Sequence, residues 1–142
     1  MLGARSVLGG RSVERDRAVS GVDRTPPSWP DGLPPPDADG WQQAVRSWLL
    51  DQCPPEYRRH EVLRRHPVVL VRFTRWHVAA SIDGHHRALG LVRQDLADLV
   101  EPEAVEASVV TLERELHRLR ALLPQVRAVE NALQGHRPGP RL

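Results

Sequence analysis

The sequence predicts an all-α protein whose main feature is a long, coiled-coil-like antiparallel helical hairpin over residues 67–134. Two stretches of about 30 residues place aliphatic side chains at alternating steps of three and four, which is the spacing of a helix with one apolar stripe. Only the short break Val100-Glu101-Pro102 separates these stretches, so the two helices must fold back against each other. A shorter helical pair and a proline- and tryptophan-rich strap precede the hairpin.

The first 40 residues are predicted to form a tail and a strap. Residues 1–24 hold five arginines and show no sustained hydrophobic period, so we expect a disordered, arginine-rich tail. Residues 25–40 hold six of the thirteen prolines, which favours an extended, polyproline-like strap. Trp29 and Leu33 are its only large apolar residues, and we expect them to anchor the strap on the helices. A ligand for a proline-reading module is the alternative.

The helical domain begins with a predicted helix over residues 41–52. Its apolar residues share one face at the spacing i, i+3, i+4, i+7 and i+8: Trp41, Ala44, Val45, Trp48 and Leu49. Asp39 is placed to cap the start of this helix, and Pro54 ends it. A second short helix is expected over residues 56–65, and His66-Pro67 interrupts the chain before the hairpin.

Each hairpin helix carries one apolar seam with few polar exceptions. The first seam comprises Val71, Arg75, Val78, Ile82, His85, Leu89, Val92, Leu96 and Leu99. The second comprises Val105, Val109, Leu112, Leu116, Leu119, Leu123, Val126, Glu130 and Leu133. Folding about residue 101 brings Arg75 and Glu130 within about one helical turn of each other. We therefore predict a buried or half-buried ion pair that fixes the register of the hairpin.

The second long helix contains one break signal and ends at two others. Pro124 is expected to kink or break it near residues 120–123, because proline lacks the N–H that a helix interior uses. Gly135 and Pro138 are stop signals. The helical domain is therefore predicted to span residues 41–134 and to be followed by a flexible tail, residues 135–142.

Composition excludes several classes of function. All twenty basic residues are arginine, which removes lysine Schiff-base chemistry and the lysine of a phosphate-binding loop. Eighteen acidic residues reduce the net charge to +2, which disfavours a nucleic-acid partner. No apolar run reaches the ~20 residues of a membrane helix. The single cysteine, Cys53, excludes an internal disulfide and fits a reducing compartment, so we expect a soluble, cytoplasmic protein.

Catalytic signatures are missing from the sequence. It contains no Gly-x-Ser-x-Gly, no glycine-rich phosphate loop and no His-Glu-x-x-His. We therefore predict that the protein is not an enzyme and that it uses no cofactor.

The histidines of the hairpin are the remaining candidates for chemistry. Folding brings His85, His86 and His117 near one level with Asp83 and Glu113, a set of side chains that transition metals accept. No histidine pair has the i, i+4 spacing of two ligands on one helical face, so His85 is expected instead to be a tolerated polar group in the seam. The alternative is a small helical ligand- or metal-binding protein, or an enzyme, with a pocket around Arg75, His85, His117 and Glu130.

Several stretches carry a resemblance to known sequences. They are Trp41-Gln42-Gln43-Ala44-Val45-Arg46-Ser47-Trp48-Leu49-Leu50-Asp51, Cys53-Pro54-Pro55-Glu56-Tyr57-Arg58, Val62-Leu63-Arg64-Arg65-His66-Pro67 and Pro102-Glu103-Ala104-Val105-Glu106-Ala107. These stretches resemble small uncharacterised helical proteins of high-G+C actinobacteria. The resemblance covers most of residues 29–142 and implies that residues 1–24 lie outside the common domain. It implies no activity and no site residues.

The apolar residues outside the seam indicate a function. Two helices alone leave an apolar set off the main seam without cover: Val68, Val69, Leu70, Phe73, Trp76, Ala79 and Ala80. The short helices could cover them, or a second copy of the chain could complete a four-helix bundle. We therefore expect a non-enzymatic helical interaction or scaffold protein that self-associates or binds another protein. The candidate interaction and register residues are Arg75, Glu130, His85, His117, Trp29, Trp41, Trp48 and Trp76.

Overall fold

Two long helices dominate the computed structural model, which describes residues 25–135. Its elements are α1 (Trp41–Asp51), a 3-10 helix (Pro55–Arg59), α2 (Glu61–Arg65), α3 (Pro67–Leu96) and α4 (Pro102–Gly135). Within this range the structure is helical and has no strand. The predicted all-α hairpin fold is therefore confirmed, whereas the predicted tails at 1–24 and 136–142 lie outside the described residues.

The seam between α3 and α4 is formed largely as the spacing predicts. Its buried aliphatic members are Val71, Val78, Val92, Val105, Val109, Leu116, Leu119, Val126 and Leu133. The prediction was wrong for Leu99, which was assigned to the end of the first seam. The helix α3 ends at Leu96, and Leu99 lies in the following turn with 74% of its surface exposed.

A third layer covers only one half of the hairpin. The helix α1 packs against α3 near the start of α3 and the end of α4, which we call the proximal end. Its buried Val45 and Leu49 belong to one core cluster with Leu70 and Val129. Other buried seam residues lie outside that cluster, towards the α3–α4 turn: Val92, Val105, Val109 and Leu116. The distal half of the hairpin, next to this turn, is therefore thinner than the proximal half.

The start of α1 differs from the predicted cap. The N-cap residue is Gly40, not Asp39, and no side chain caps the helix there. Gly40 has φ of 75°, a left-handed conformation that glycine adopts without steric strain. Its carbonyl accepts a hydrogen bond from the Ala44 N–H at 3.1 Å. The chain thus enters α1 through a tight turn at Gly40, and Asp39 remains exposed.

The second short helix, predicted as one piece over residues 56–65, is divided into two. His60 has φ of −92° and ψ of 115°, an extended conformation that separates the 3-10 helix from α2. The predicted break before the hairpin is present, because His66 is extended and Pro67 occupies the first position of α3. A residue before proline avoids helical ψ for steric reasons, and proline at a first helical position loses no hydrogen bond.

The helix α4 continues through Pro124 as one element, so of the predicted kink or break the break is wrong and the kink stays a prediction. Pro124 is exposed, whereas Leu122 and Val126 on either side of it are buried. Packing holds both turns against the hairpin. The helical bond that proline cannot make is lost on the solvent side, where water can satisfy a freed carbonyl.

The strap over residues 25–40 is a series of turns and not the extended segment that its prolines predicted. Backbone N–H groups of Trp29, Leu33 and Ala38 each donate to the carbonyl three residues earlier, at 3.1 to 3.4 Å. Left-handed residues allow the chain to reverse at each turn: Ser28, Gly32 and Asp37. The expected anchor is confirmed, because Trp29 is buried in the core cluster.

Candidate interaction surface

Glu130 is the polar centre of the proximal hairpin. Only 7% of this residue is exposed, and its Oε1 lies 2.9 Å from Nε of Arg75, so the predicted pair is present. The Nε–H of Arg75 is not directed at the carboxylate, so this contact is an ion pair without a hydrogen bond. Arg72 supplies the hydrogen bond, since its Nε donates to Oε2 of Glu130 at 2.6 Å.

The contribution of Arg72 was not predicted, although the sequence contains a signal for it. Folding about residue 101 places Glu130 next to Arg72 as well as within a turn of Arg75. Arg72 and Arg75 are three residues apart on α3 and therefore lie on neighbouring positions of one helical face. One carboxylate of α4 thus contacts two guanidinium groups of α3, an arrangement that holds one register of the two helices.

His85 and His117 occupy different faces of the distal hairpin. The Nδ1 of His85 lies 2.8 Å from the carbonyl of Ser81 on the same helix, so Nδ1 is the donor. His117 is exposed and, together with His86, lines a cavity of about 380 Å³. The other lining residues are Leu89, Glu113, Leu116 and Arg120. Among residues 25–135, no group of three or more histidine, cysteine or carboxylate side chains is arranged to hold a metal ion.

The alternative prediction placed four residues around one pocket, but they lie apart in the structure: Arg75, His85, His117 and Glu130. His117 and Glu130 lie about 20 Å apart along the continuous α4, at 1.5 Å per residue. Arg75 forms an ion pair with Glu130. The histidine that lines a cavity together with His117 is His86 and not His85. Because a compact ligand cannot span a separation of about 20 Å, these four residues do not line one pocket.

Cys53 lies against α3 at the proximal end. Its Sγ is 3.1 Å from Oγ1 of Thr74, which is fully buried and donates a hydrogen bond to the Leu70 carbonyl at 2.8 Å. Burial raises the pKa of the Cys53 thiol, while the contact with Thr74 and the charge of Arg58 lower it. The thiol is therefore held in its protonated form.

The candidate tryptophans separate into core residues and one surface residue. Trp29 and Trp41 are buried and pack with ring centroids 6.2 Å apart, and Nε1 of Trp29 donates to the Pro34 carbonyl at 3.1 Å. Trp48 is half-buried against the core. Trp76 differs from all three, since 53% of it is exposed.

Trp76 belongs to a face of α3 that points away from α4. At 100° per residue this face lies opposite the seam that includes Val71 and Val78. We call it the outer stripe and define it as Val69, Phe73, Trp76, Ala80, Gly84, Arg87 and Leu91. All of its members are exposed except the half-buried Val69. The short helices were predicted to cover the apolar residues outside the seam. Leu70 is fully buried, but Phe73 and Trp76 remain exposed.

The outer stripe has a groove at its distal half. This groove measures about 390 Å³ and is lined by Gly84, Arg87, Ala88, Leu91, Val92, Asp95, Leu96 and Leu112. The proximal half also has a groove, of about 310 Å³, lined by Val68, Val69, Arg72, Phe73 and Trp76, and the rings of Phe73 and Trp76 pack with centroids 5.6 Å apart. One end of the stripe is therefore aromatic, and the other surrounds a glycine.

The fold and this surface define an all-α helical hairpin protein with an apolar face that the described chain leaves open. No known family model, curated protein or solved structure matches the chain. The resemblance to small helical proteins of actinobacteria stays a prediction. No helix within residues 25–135 combines the length and apolar character needed to cross a bilayer.

Proposed function

We propose that this chain is a non-enzymatic helical interaction or scaffold protein that self-associates through the outer stripe of α3. The observation that carries the proposal is the exposure of Phe73, Trp76 and Leu91, at 38%, 53% and 46%, on one helical face. Removing apolar surface from water contributes about 25 cal/mol per Å², from which the entropy cost of association is subtracted. Large exposed apolar side chains that share one face are typical of protein–protein contact sites.

Trp76 supports a protein partner in particular. Tryptophan is among the residues that contribute most to interface energies, because its large rigid ring buries much area with little loss of side-chain entropy. The other tryptophans of the chain are largely withdrawn into the core or against it. A second hairpin on the outer stripe would complete a four-helix arrangement and cover Trp76.

The charge pattern favours a protein over a nucleic acid. Six arginines of the described part form ion pairs with carboxylates of the same chain: Arg58, Arg65, Arg72, Arg75, Arg93 and Arg118. Arginines neutralised in this way contribute less to phosphate binding. The proposal places the protein in the cytoplasm, because its one cysteine suits a reducing compartment.

Sedimentation velocity of the full chain over a concentration series tests the proposal. We expect the wild type to reach twice the 16.0 kDa chain mass as concentration rises. Trp76→Glu places a charge in the stripe and should keep the protein monomeric. The matched control is Val110→Glu, since Val110 is 43% exposed on the face of α4 that points away from α3, and it should associate like the wild type. A monomer at every concentration, with no partner retained in a pull-down, would contradict the proposal.

A small-molecule-binding protein is the second candidate. The observation that favours it is the cavity of about 380 Å³ that His86, His117, Glu113 and Arg120 line. Two imidazoles and a guanidinium can bind an anionic group, and Glu113 can accept a hydrogen bond from it. Native mass spectrometry of the purified protein tests this function. A bound mass that is lost in His117→Ala supports it, and an apo mass contradicts it.

A further inference from the structure

We infer that the outer stripe binds a second copy of this chain in an antiparallel, two-fold arrangement whose axis passes beside Ala80. This inference rests on the proposed function and specifies its partner and geometry. Along the stripe, Trp76 and Gly84 lie equally far from Ala80, as do Phe73 and Arg87, and Val69 and Leu91. Helix periodicity gives every residue such neighbours on its own face, so the spacing permits a two-fold interface at Ala80, and the residues that meet there, together with the charges at the two ends, select it.

The residues that meet in this arrangement are complementary in size. Trp76 of one copy lies opposite Gly84 of the other, where the groove of about 390 Å³ begins. Nothing among the described residues lies within 4 Å of a Cβ built on Gly84, so the chain's own packing does not exclude a side chain there. Glycine destabilises a helix interior relative to alanine. At Gly84 the missing side chain would allow the indole of the partner's Trp76 to approach the helix closely.

The remaining contacts follow from the same symmetry. Val69 lies opposite Leu91, which joins two aliphatic side chains. Phe73 lies opposite Arg87, whose guanidinium can stack on the ring face of the partner. Ala80 lies opposite its own copy and permits the helices to approach closely at the axis. Each copy thus places its aromatic end against the glycine-containing end of the other.

The charges at the two ends of α3 select the antiparallel orientation. The proximal segment, residues 56–66, holds four arginines against two glutamates; Arg58 pairs with Asp51 and Arg65 with Glu61, and the exposed Arg59 and Arg64 lie outside these pairs. The distal segment, residues 93–106, holds five carboxylates against one arginine, and all of these side chains are exposed. An antiparallel pair places each basic end beside the acidic end of the partner, whereas a parallel pair places like charges together.

Cross-linking of cysteine variants tests the orientation. In the full chain carrying Cys53→Ser, a short bismaleimide is added to Ala80→Cys, to Val69→Cys, to Leu91→Cys, and to an equal mixture of the last two. We expect cross-linked dimers from Ala80→Cys and from the mixture, and at least tenfold less product from Val69→Cys or Leu91→Cys alone. Self-linking of Val69→Cys as efficient as that of the mixture would establish a parallel pair and overturn the inference.

A pair of glycine variants tests the fit of Trp76. Gly84→Gln and Gly90→Gln introduce the same side chain on α3, and both positions are open within the described chain. Gly84 is in the stripe and Gly90 is outside it. We expect Gly84→Gln to raise the dimer dissociation constant at least tenfold and Gly90→Gln to change it less than twofold. Equal effects of the two would overturn the inference.

These experiments separate the inference from the proposed function. A wild-type dimer that Trp76→Glu dissociates, but that links through Val69→Cys alone, contradicts the antiparallel geometry and leaves self-association through the stripe intact. A wild-type chain that is monomeric at every concentration contradicts both. A monomer that binds a different protein through Trp76 overturns the second copy as the occupant and retains the interaction function.

Discussion

At the residue scale, the polar members of an apolar seam have defined partners. Glu130 stands where the spacing calls for an aliphatic residue, and it contacts both Arg72 and Arg75. A shift of one helical turn between α3 and α4 would separate this buried carboxylate from at least one of its two guanidinium partners, which is unfavourable. The main effect of these ion pairs is therefore to select one register of α3 and α4, and their contribution to the stability of the hairpin is smaller.

Substitution of Glu130 tests that role. Glu130→Gln keeps the shape of the side chain but leaves two guanidinium groups near a neutral amide, so we expect the free energy of unfolding to fall by about 1–2 kcal/mol. This value is below that of a fully buried pair because both arginines are partly exposed to solvent. Urea unfolding measures the change. The control is Glu115→Gln, which breaks the exposed pair with Arg118 and should produce no measurable change.

The Cys53 thiol gives a second prediction at this scale, on pH. Burial raises its pKa in the folded state, so the fold favours the protonated thiol. Its contribution to stability is complete below the pKa of the unfolded thiol, about 8.5, and is lost as pH rises through the higher folded value. Iodoacetamide should therefore alkylate the folded protein more slowly than the urea-unfolded protein near pH 8.5. Equal rates would contradict the half-buried, protonated thiol.

At the element scale, Pro124 shows how packing overrides a local signal. Proline in a helix interior costs about 3 kcal/mol relative to alanine, yet α4 runs through it because buried residues on both sides hold the helix in place. We expect Pro124→Ala to raise the free energy of unfolding by about 1–3 kcal/mol, since it restores a backbone hydrogen bond. Thermal or urea unfolding tests this expectation.

Pro102→Ala is the matched substitution in the same helix. Pro102 is the first residue of α4, where its missing N–H has no helical partner, so its replacement should change stability by less than about 0.5 kcal/mol. A loss of stability in Pro124→Ala would contradict the account, because it would mean that the fold requires proline geometry at that position.

The elements that sequence reasoning predicted correctly share a physical property. The seam of α3 and α4 and the break at His66-Pro67 depend on spacing and on steric rules that act within a few residues. The break at His60 carries no comparable signal, and at Gly40 the signal was present in the freedom of glycine to adopt positive φ, whereas the prediction relied on the side chain of Asp39. The turns of the strap depend on the burial of Trp29.

At the scale of the whole molecule, α3 carries two apolar faces, and the residues that the structure describes bury one of them far more than the other. The sequence predicted that Phe73 and Trp76 require cover, since they fall outside the seam. It did not predict the groove that Gly84 and Leu91 line. A groove depends on how the side chains of two neighbouring helices pack together. Leu112 of α4 lines this groove beside residues of α3.

The charge distribution also becomes meaningful only at this scale. The net charge of +2 conceals a basic proximal end and an acidic distal end, which the hairpin separates by the length of α3. At 1.5 Å per residue this length is about 45 Å, several times the Debye length at physiological ionic strength. The two ends therefore act as separate patches, and each can contact the opposite patch of a partner.

Hydroxyl-radical footprinting of Trp76 is the most direct measurement of self-association through the outer stripe. Oxidation of Trp76 is compared about tenfold below and about tenfold above the dimer dissociation constant, with the exposed His117 of α4 as the internal control. We expect the oxidation rate of Trp76 to fall about threefold at the higher concentration, close to the fourfold limit that the fall in monomer fraction sets, while that of His117 stays constant. An unchanged rate at Trp76 in a sample that is dimeric by mass would contradict the central claim.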